Sequence, residues 1–320
     1  MNSNGNQYTI GIDVGGTKTA YGIFDQEKKL VKRHQHPSDG SLNAEEFFDR
    51  IIVNIHELME TCGISFEHLR GIGIGMPSYI HYEEGHIVKT VNLRNIQDFP
   101  ARTYLMKKLG GVRVLLDNDS HTGALAEFRN GAGRGFENIL YCPVSTGISS
   151  GIIINGKLFR GRYGWAGESG HMIVTPGDGV DCGCGNKGCL MSWCSGAMII
   201  KHIKQWIENG EKTKLLEMAK TPDDITCEMI DRAYELGDPM AIKAVNQMAK
   251  YLAVWIYNLY VTLNINCFIF GGGLLNMGDK LFGQVYKNFH EYNQDDMPVY
   301  FKTAELGNDF GIIGAAELLF

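Results

Sequence analysis

Short apolar runs and alternating positions near the N-terminus predict strands. Residues 8–13 (Tyr-Thr-Ile-Gly-Ile-Asp) and 19–24 (Thr-Ala-Tyr-Gly-Ile-Phe) flank the run Val-Gly-Gly-Thr-Lys at 14–18. The glycine pair therefore reads as a tight turn between antiparallel strands. A third strand is expected near Leu30 to Gln35. Asn43, with Glu46 three residues on, makes a capping-box start for a helix, and Phe47, Ile51, Ile55 and Leu58 then fall on one face. Residues 71–76 and 112–117 read as buried strands, the second running through Asn118 and Asp119 into a helix that ends near Arg129.

The pattern then restarts. Residues 139–144 (Ile-Leu-Tyr-Cys-Pro-Val) predict a strand, 145–148 a turn, and 150–155 a returning strand. Set beside residues 10–24, this is a weak internal repeat of one strand–glycine turn–strand unit. Two such hairpins, one per domain, would present backbone N–H groups to one ligand from opposite sides. Mostly helical sequence follows, including a long helix whose apolar face is traced by Ile242, Val245, Ala249, Leu252, Ile256 and Leu259. A strand at 266–270 ends in Gly271, Gly272 and Gly273, and a last helix runs from about Phe310 to Leu319. There is no linker rich in proline, serine or charge. The repeat alone sets the expected boundary at about Asp119, giving α/β domains over 1–118 and 119–308.

One segment changes the picture from an ordinary α/β protein. His171, Cys182, Cys184 and Cys189 lie within nineteen residues, interspersed with Gly183, Gly185 and Gly188. Three thiols and an imidazole match the number and softness of ligands at a closed tetrahedral zinc site, and the glycines allow the tight turns that aim all three sulfurs at one ion. Four protein ligands and no open position imply a structural metal. The other five cysteines are scattered, unlike a secreted disulfide framework, which favours a reducing cytoplasm. The first seven residues are polar and lack the charged and apolar regions of a signal peptide, and no apolar run approaches a membrane span. A net charge of −6 without a basic run makes nucleic acid and anionic membranes poor partners.

The remaining candidates cluster at strand ends. Asp13 beside the turn formed by Gly15, Gly16, Thr17 and Lys18 sets a carboxylate next to free backbone donors, a nest for phosphate oxygens with an acid suited to Mg²⁺. Gly-Gly-Thr is also an ordinary hairpin turn, so the matching turn at Ser145, Thr146 and Gly147 strengthens the phosphate reading. Neither turn has the spacing of a P-loop. Asn118 and Asp119 stand where a strand gives way to a helix, the usual ligand edge of open α/β sheets. Asp119 there would either take the proton of an attacking hydroxyl or cap the helix. With one ring nitrogen of His171 on zinc, the other remains for a substrate hydroxyl, and Glu168 on the same loop would accept from hydroxyls. Gly271, Gly272 and Gly273 suit either the close approach of a flat group such as adenosine or a simple helix-capping turn.

In this order, across essentially the whole chain, these pieces resemble the ROK family of sugar kinases and related repressors. The run from Asp13 to Lys18 looks like the family's first phosphate motif, and Ser145-Thr-Gly147 with Ser150-Gly151 like its second. Asn118-Asp119 looks like the sugar-binding Asn and catalytic Asp, Gly167-Glu-Ser-Gly-His171 like its Gly-Glu-x-Gly-His motif, and the Cys182–Cys189 run like its zinc signature. Asn92, in Thr-Val-Asn-Leu at 90–93, is similar to the family's Pro-Asn-Leu sugar contact. The resemblance implies a two-domain actin-like ATPase (ribonuclease H-like) fold, with an interdomain cleft and a structural zinc loop, and a C-terminal helix, 309–320, packing back on the first domain. It implies ATP with Mg²⁺, structural Zn²⁺, a cytoplasmic homodimer, and transfer to a hexose hydroxyl, O6 of an aldohexose such as allose or glucose. An N-acetylhexosamine or a β-glucoside is the alternative acceptor. A sugar sensor or transcriptional regulator is the alternative class, but regulators of the family carry a winged helix-turn-helix before the first motif, and twelve residues precede Asp13. Three departures stand out. Met191 replaces the usual sugar-contacting Glu two residues after the last zinc cysteine, Ser120-His121 replaces Ala-Asn, and Ser145 replaces the first Gly of the second phosphate motif.

Overall fold

Hydrogen bonding along the first strands follows the predicted hairpin. The computed structural model describes residues 8–177, 180–295 and 297–320, so the polar N-terminal seven lie outside the described residues. β1 (Tyr8–Val14) and β2 (Lys18–Phe24) pair antiparallel, and β3 (Leu30–Pro37) pairs antiparallel with β2. α1 (Ala44–Cys62) starts on the Asn43–Glu46 capping box and buries Phe47, Ile51, Ile55 and Leu58. β4 (Leu69–Met76) lies parallel to β1; after it come β5 (Ser78–His81), β6 (His86–Thr90) and β7 (Gln97–Phe99), a small antiparallel sheet absent from the sequence reading. α2 (Ala101–Lys108) leads to β8 (Val114–Asn118), parallel to β4, and α3 (Asp119–Asn130) follows without a break. The main sheet thus has the order β3-β2-β1-β4-β8. Its parallel members end together: Asp13 pairs with Gly75, Gly75 with Asp117 and Met76 with Asn118.

The chain divides by contacts into two compact units: Met1–Glu137 with Gly151–Gly167 and Ala304–Phe320, and Asn138–Ser150 with Glu168–Thr303. This differs from the boundary at Asp119. α3 stays with the first unit because the C-terminal helix and the hairpin at 151–158 both pack on it. In the second unit, β9 (Ile139–Pro143) opens the chain's next strand pattern. β10 (Gly151–Ile154) and β11 (Lys157–Leu158) then form an antiparallel hairpin in the first unit, against α3.

The second unit continues with α4 (Met191–Cys194), α5 (Gly196–Glu208), α6 (Leu215–Met218), α7 (Cys227–Glu235) and α8 (Pro239–Leu263). The face of α8 that is buried runs through Ala241, Ala244, Val245, Met248, Ala249, Leu252 and Ile256, which turns Ile242 partly outward. β12 (Cys267–Gly271) pairs parallel with β9 and with β13 (Tyr300–Thr303), and α9 (Phe282–Tyr292) lies between them in sequence. Finally α10 (Phe310–Glu317) lies on β1, β4 and α3 of the first unit. Its end is fixed by Glu317, buried and bonded by Lys28, Arg129 and Asn130. Among the described residues no helix is long and apolar enough to cross a membrane.

Candidate active site and metal centre

In the first unit, sheet register brings together residues far apart in sequence. Asp13 is the last residue but one of β1, and the turn after the strand closes with Gly15 N–H donating to the Lys18 carbonyl at 2.9 Å. Among the described residues, nothing accepts from the backbone N–H groups of Gly16 and Thr17. The Asn92 side chain lies over this turn: a Cβ placed on Gly16 would stand 3.1 Å from Asn92 Cβ. The first turn of α10, at Gly311, closes on the Asp13 carboxylate. Burial, and then Asp119, push the Asp13 carboxyl up to about 6, against Lys18 and Arg33.

Asn118 and Asp119 occupy the carboxyl edge two strands away. Asn118 caps α3, its Oδ1 accepting from Ser120 N–H at 2.8 Å, and its Nδ2 donates to the Ser78 carbonyl at 3.2 Å. Asp119 is the first residue of the helix proper, so the capping role falls to its neighbour. Burial raises the Asp119 carboxyl above the usual range, while Ser120 N–H and His121 pull it back. Part of the residue stays exposed. Beneath this corner Asp117 is fully buried and accepts from Asn118 N–H, His121 and Arg160. Sequence reasoning passed over Asp117 and Arg160; their one signal was polar residues at an otherwise apolar strand end and after a glycine-flanked hairpin.

In the second unit, three loops converge. At the Ser145–Thr146–Gly147 turn, Ser145 N–H donates to the Gly147 carbonyl at 3.0 Å and the Ser145 carbonyl accepts from Gly196 N–H at 2.8 Å. The start of α5 is therefore joined to the turn, its Gly196 and Ala197 N–H groups donating to the Ser145 and Thr146 carbonyls. Ser195-Gly196 ahead of an amphipathic run was the available sequence signal. Gly272, at φ +90°, lies so close to Val144 that a Cβ would strike its backbone, and Gly273 faces Ser145 Oγ. Gly273 also borders a 140 Å³ cavity with Asn276, Cys227, Glu228 and Arg232. Met191 reaches the same turn, its Cε 3.7 Å from a Cβ built on Gly147.

Glu168 begins a short turn over Ser169–His171, with His171 N–H donating to the Glu168 carbonyl at 3.0 Å. Only glycine fits at 170, because a Cβ there would strike the Ile148 carbonyl. The His171 ring is placed with Nδ1 3.5 Å from Cys182 Sγ and Nε2 3.9 Å from a Glu168 oxygen. Ligand atoms of His171, Cys182, Cys184 and Cys189 all lie within 4.8 Å of one another, and Cys184 Sγ is 3.7 Å from Cys189 Sγ. A tetrahedron with zinc–sulfur bonds of about 2.3 Å has edges of about 3.8 Å, so the donor set has the size and chemistry of a zinc site. All eight cysteines are free thiols.

Parallel strands carrying Asp13 and Asn118-Asp119 at one carboxyl edge, beside a glycine hairpin, define an α/β protein of the actin-like ATPase fold. A family profile described as the ROK family matches residues 9–320, and the chain belongs to that family. It is 31% identical over 316 residues to a glucokinase of Streptomyces coelicolor, covering 97% of this chain and 96% of the relative. It is 30% identical over 325 residues to an N-acetyl-D-glucosamine kinase of Mannheimia succiniciproducens, covering 96% and 98%. Among solved structures, a ROK glucokinase of Streptomyces griseus in complex with glucose and AMPPNP aligns at a TM-score of 0.79 and 30% identity, over 97% of this chain and 98% of that one.

Proposed function

We propose that the chain is an ATP-dependent hexose kinase, transferring the γ-phosphoryl group to a hexose hydroxyl, O6 of an aldohexose such as allose or glucose. The observation that carries the reading is Asp119: a desolvated carboxylate at the carboxyl edge, two strands from Asp13 and the open Gly15–Gly16 turn. The three relatives named above act on or hold hexoses, one with a nucleotide analogue, which supports the same reaction class.

In this reaction Asp119 accepts the hydroxyl proton as the oxygen forms its bond to phosphorus. The bond between the γ-phosphorus and the bridging oxygen breaks, and ADP leaves. Most of the catalysis is positioning and charge stabilisation. Asn92, Asn118, Glu168 and His171 Nε2 bind sugar hydroxyls in this reading. Asp13 with Gly15, Gly16, Thr17 and Lys18, and Thr146 with Gly147, receive Mg·ATP, whose metal supplies charge neutralisation at the transferring phosphate. Gly271, Gly272 and Gly273 admit the adenosine, with the adjoining cavity as its seat. Zinc on His171, Cys182, Cys184 and Cys189 holds the Glu168–His171 turn in place and takes no part in bond making. An N-acetylhexosamine is the second reading, favoured by Met191, which offers an apolar, adaptable surface where the family usually has Glu. The protein acts as a homodimer in this proposal.

A panel of hexoses, N-acetylhexosamines and β-glucosides with Mg·ATP, scored by phosphate-ester formation and ADP release, tests it. An acceptor with kcat/KM of about 10⁴ M⁻¹s⁻¹ or better is expected; ADP release without any ester, or no turnover at all, would overturn the assignment.

A further inference from the structure

His121 is buried, 1% exposed, and both of its ring nitrogens meet acceptors. Nδ1 stands 2.7 Å from Asp117 Oδ1, and Nε2 stands 2.7 Å from the Ala166 carbonyl oxygen. A carbonyl oxygen only accepts. The Asp117 carboxylate is committed as an acceptor too, since it also takes Asn118 N–H at 2.8 Å and Arg160 Nε–H at 2.7 Å. A neutral imidazole has one N–H to offer, so two such contacts call for a proton on each nitrogen.

We propose that His121 is a positioning residue, held as an imidazolium, that fixes the Asn118-Asp119 corner and fastens to it the loop that leads into Glu168. The proposal rests on the kinase reading of that corner. Asp117 is the hub: the same carboxylate holds the Asn118 backbone, His121 and Arg160. Ala166 is the far anchor, two residues ahead of Glu168 in the chain. The loop between is gripped elsewhere as well. Ala166 N–H donates to the Arg160 carbonyl at 3.0 Å, the Arg160 guanidinium lies 3.6 Å from the Tyr82 ring centroid, and Trp165 meets Tyr79 edge-on and stacks on His81.

The charged groups around His121 are Asp117 at the end of β8, Arg160 on the loop and Asp119 on its own helix. Burial alone would favour the neutral ring and Arg160 adds to that, yet Asp117 and the Ala166 carbonyl outweigh both and hold the ring above its ordinary value. The cation in turn favours the ionised, proton-accepting form of Asp119. Two tasks therefore fall on one side chain: geometry for the corner, and charge for the base. An Asn at 121 carries no charge to replace it.

Two measurements test it. Imidazole ¹⁵N spectra of the wild-type protein, assigned by the signal lost in His121→Asn, should show both ring nitrogens protonated at pH 7.5. A neutral tautomer there would overturn the proposal whether or not any sugar is phosphorylated. In kinetics, His121→Asn should move the acid limb of kcat/KM up by about one pH unit and raise the sugar Kd, read by calorimetry, by about 10-fold. The melting temperature should stay within a few degrees of wild type. Superimposable pH profiles together with unchanged sugar affinity would also overturn it. If the spectrum shows the cation and sugar binding weakens, but the wild type phosphorylates no acceptor, only the kinase reading falls.

Discussion

Ser150 and Ser169 share a hydrogen bond of 2.9 Å between their hydroxyls, both buried, joining the stretch after the second glycine turn to the turn that carries Glu168 and His171. Gly170 seats that turn on the Ile148 carbonyl. Glu168 and His171 thus share one local framework with the Ser145–Gly147 turn, which the Cys182–Cys189 loop closes from the other side through His171.

Loss of the metal should therefore reach activity through this framework. The purified protein is expected to hold about one zinc per chain by elemental analysis. Cys184→Ser should release it, lower the melting temperature by about 5–10 °C and abolish sugar phosphorylation. Zinc well below one per chain in protein prepared without chelator would count against the site.

Asp119→Asn keeps the shape of the corner and removes its proposed base. Turnover should fall by roughly 10²–10⁴-fold, with sugar affinity within a few-fold of wild type. More than about a tenth of wild-type turnover under saturating substrates would take Asp119 out of that role.

Acid should weaken nucleotide binding before it unfolds the protein. Asp13, raised to about 6 by burial and by Asp119, is anionic above that pH and neutral below it. Its attraction for Mg·ATP is accordingly present at pH 7 and lost as pH falls through 6. KM for Mg·ATP should rise by about tenfold between pH 7 and pH 5, and Asp13→Asn should flatten that dependence. A KM that stays level over the same range in wild type would contradict it.

Met191, against the Gly147 turn, offers no charged acceptor. A carboxylate in its place would bond a sugar hydroxyl with about 1.5–3 kcal/mol, or about 10- to 100-fold in affinity. Glucose should accordingly not be the best acceptor of the wild type, and Met191→Glu should raise kcat/KM for glucose relative to the preferred sugar. Side-by-side kinetics decide it: an unchanged preference in a well-folded variant would sink the idea.

Much of this was legible along the chain. The Asn43–Glu46 box, the period of α1 and the turn after Asp13 are local patterns, and each forms where its neighbours in sequence dictate. The small sheet β5–β7 was not legible, since its strands are three to five residues long and too short to show a period. The division of the chain at Asp119 was drawn from a repeat, whereas contacts keep α3 with β4, β10 and α10, which close on it from both ends of the sequence.

The sequence by itself determined the set of candidate metal ligands, the two glycine turns and the pairing of Asn with Asp at a strand end. These depend on residues within one or two turns of each other, where spacing and side-chain type carry the physics. Only the tertiary structure decided that Asp13 and Asp119 stand on one edge, because that follows from the register of three parallel strands, Tyr8–Val14, Leu69–Met76 and Val114–Asn118, far apart in the sequence. It also decided which charges gather beneath that edge. A His after Ser120 reads as an ordinary helical residue until burial removes water from it, and then Asp117, Arg160 and the Ala166 carbonyl are the partners that remain.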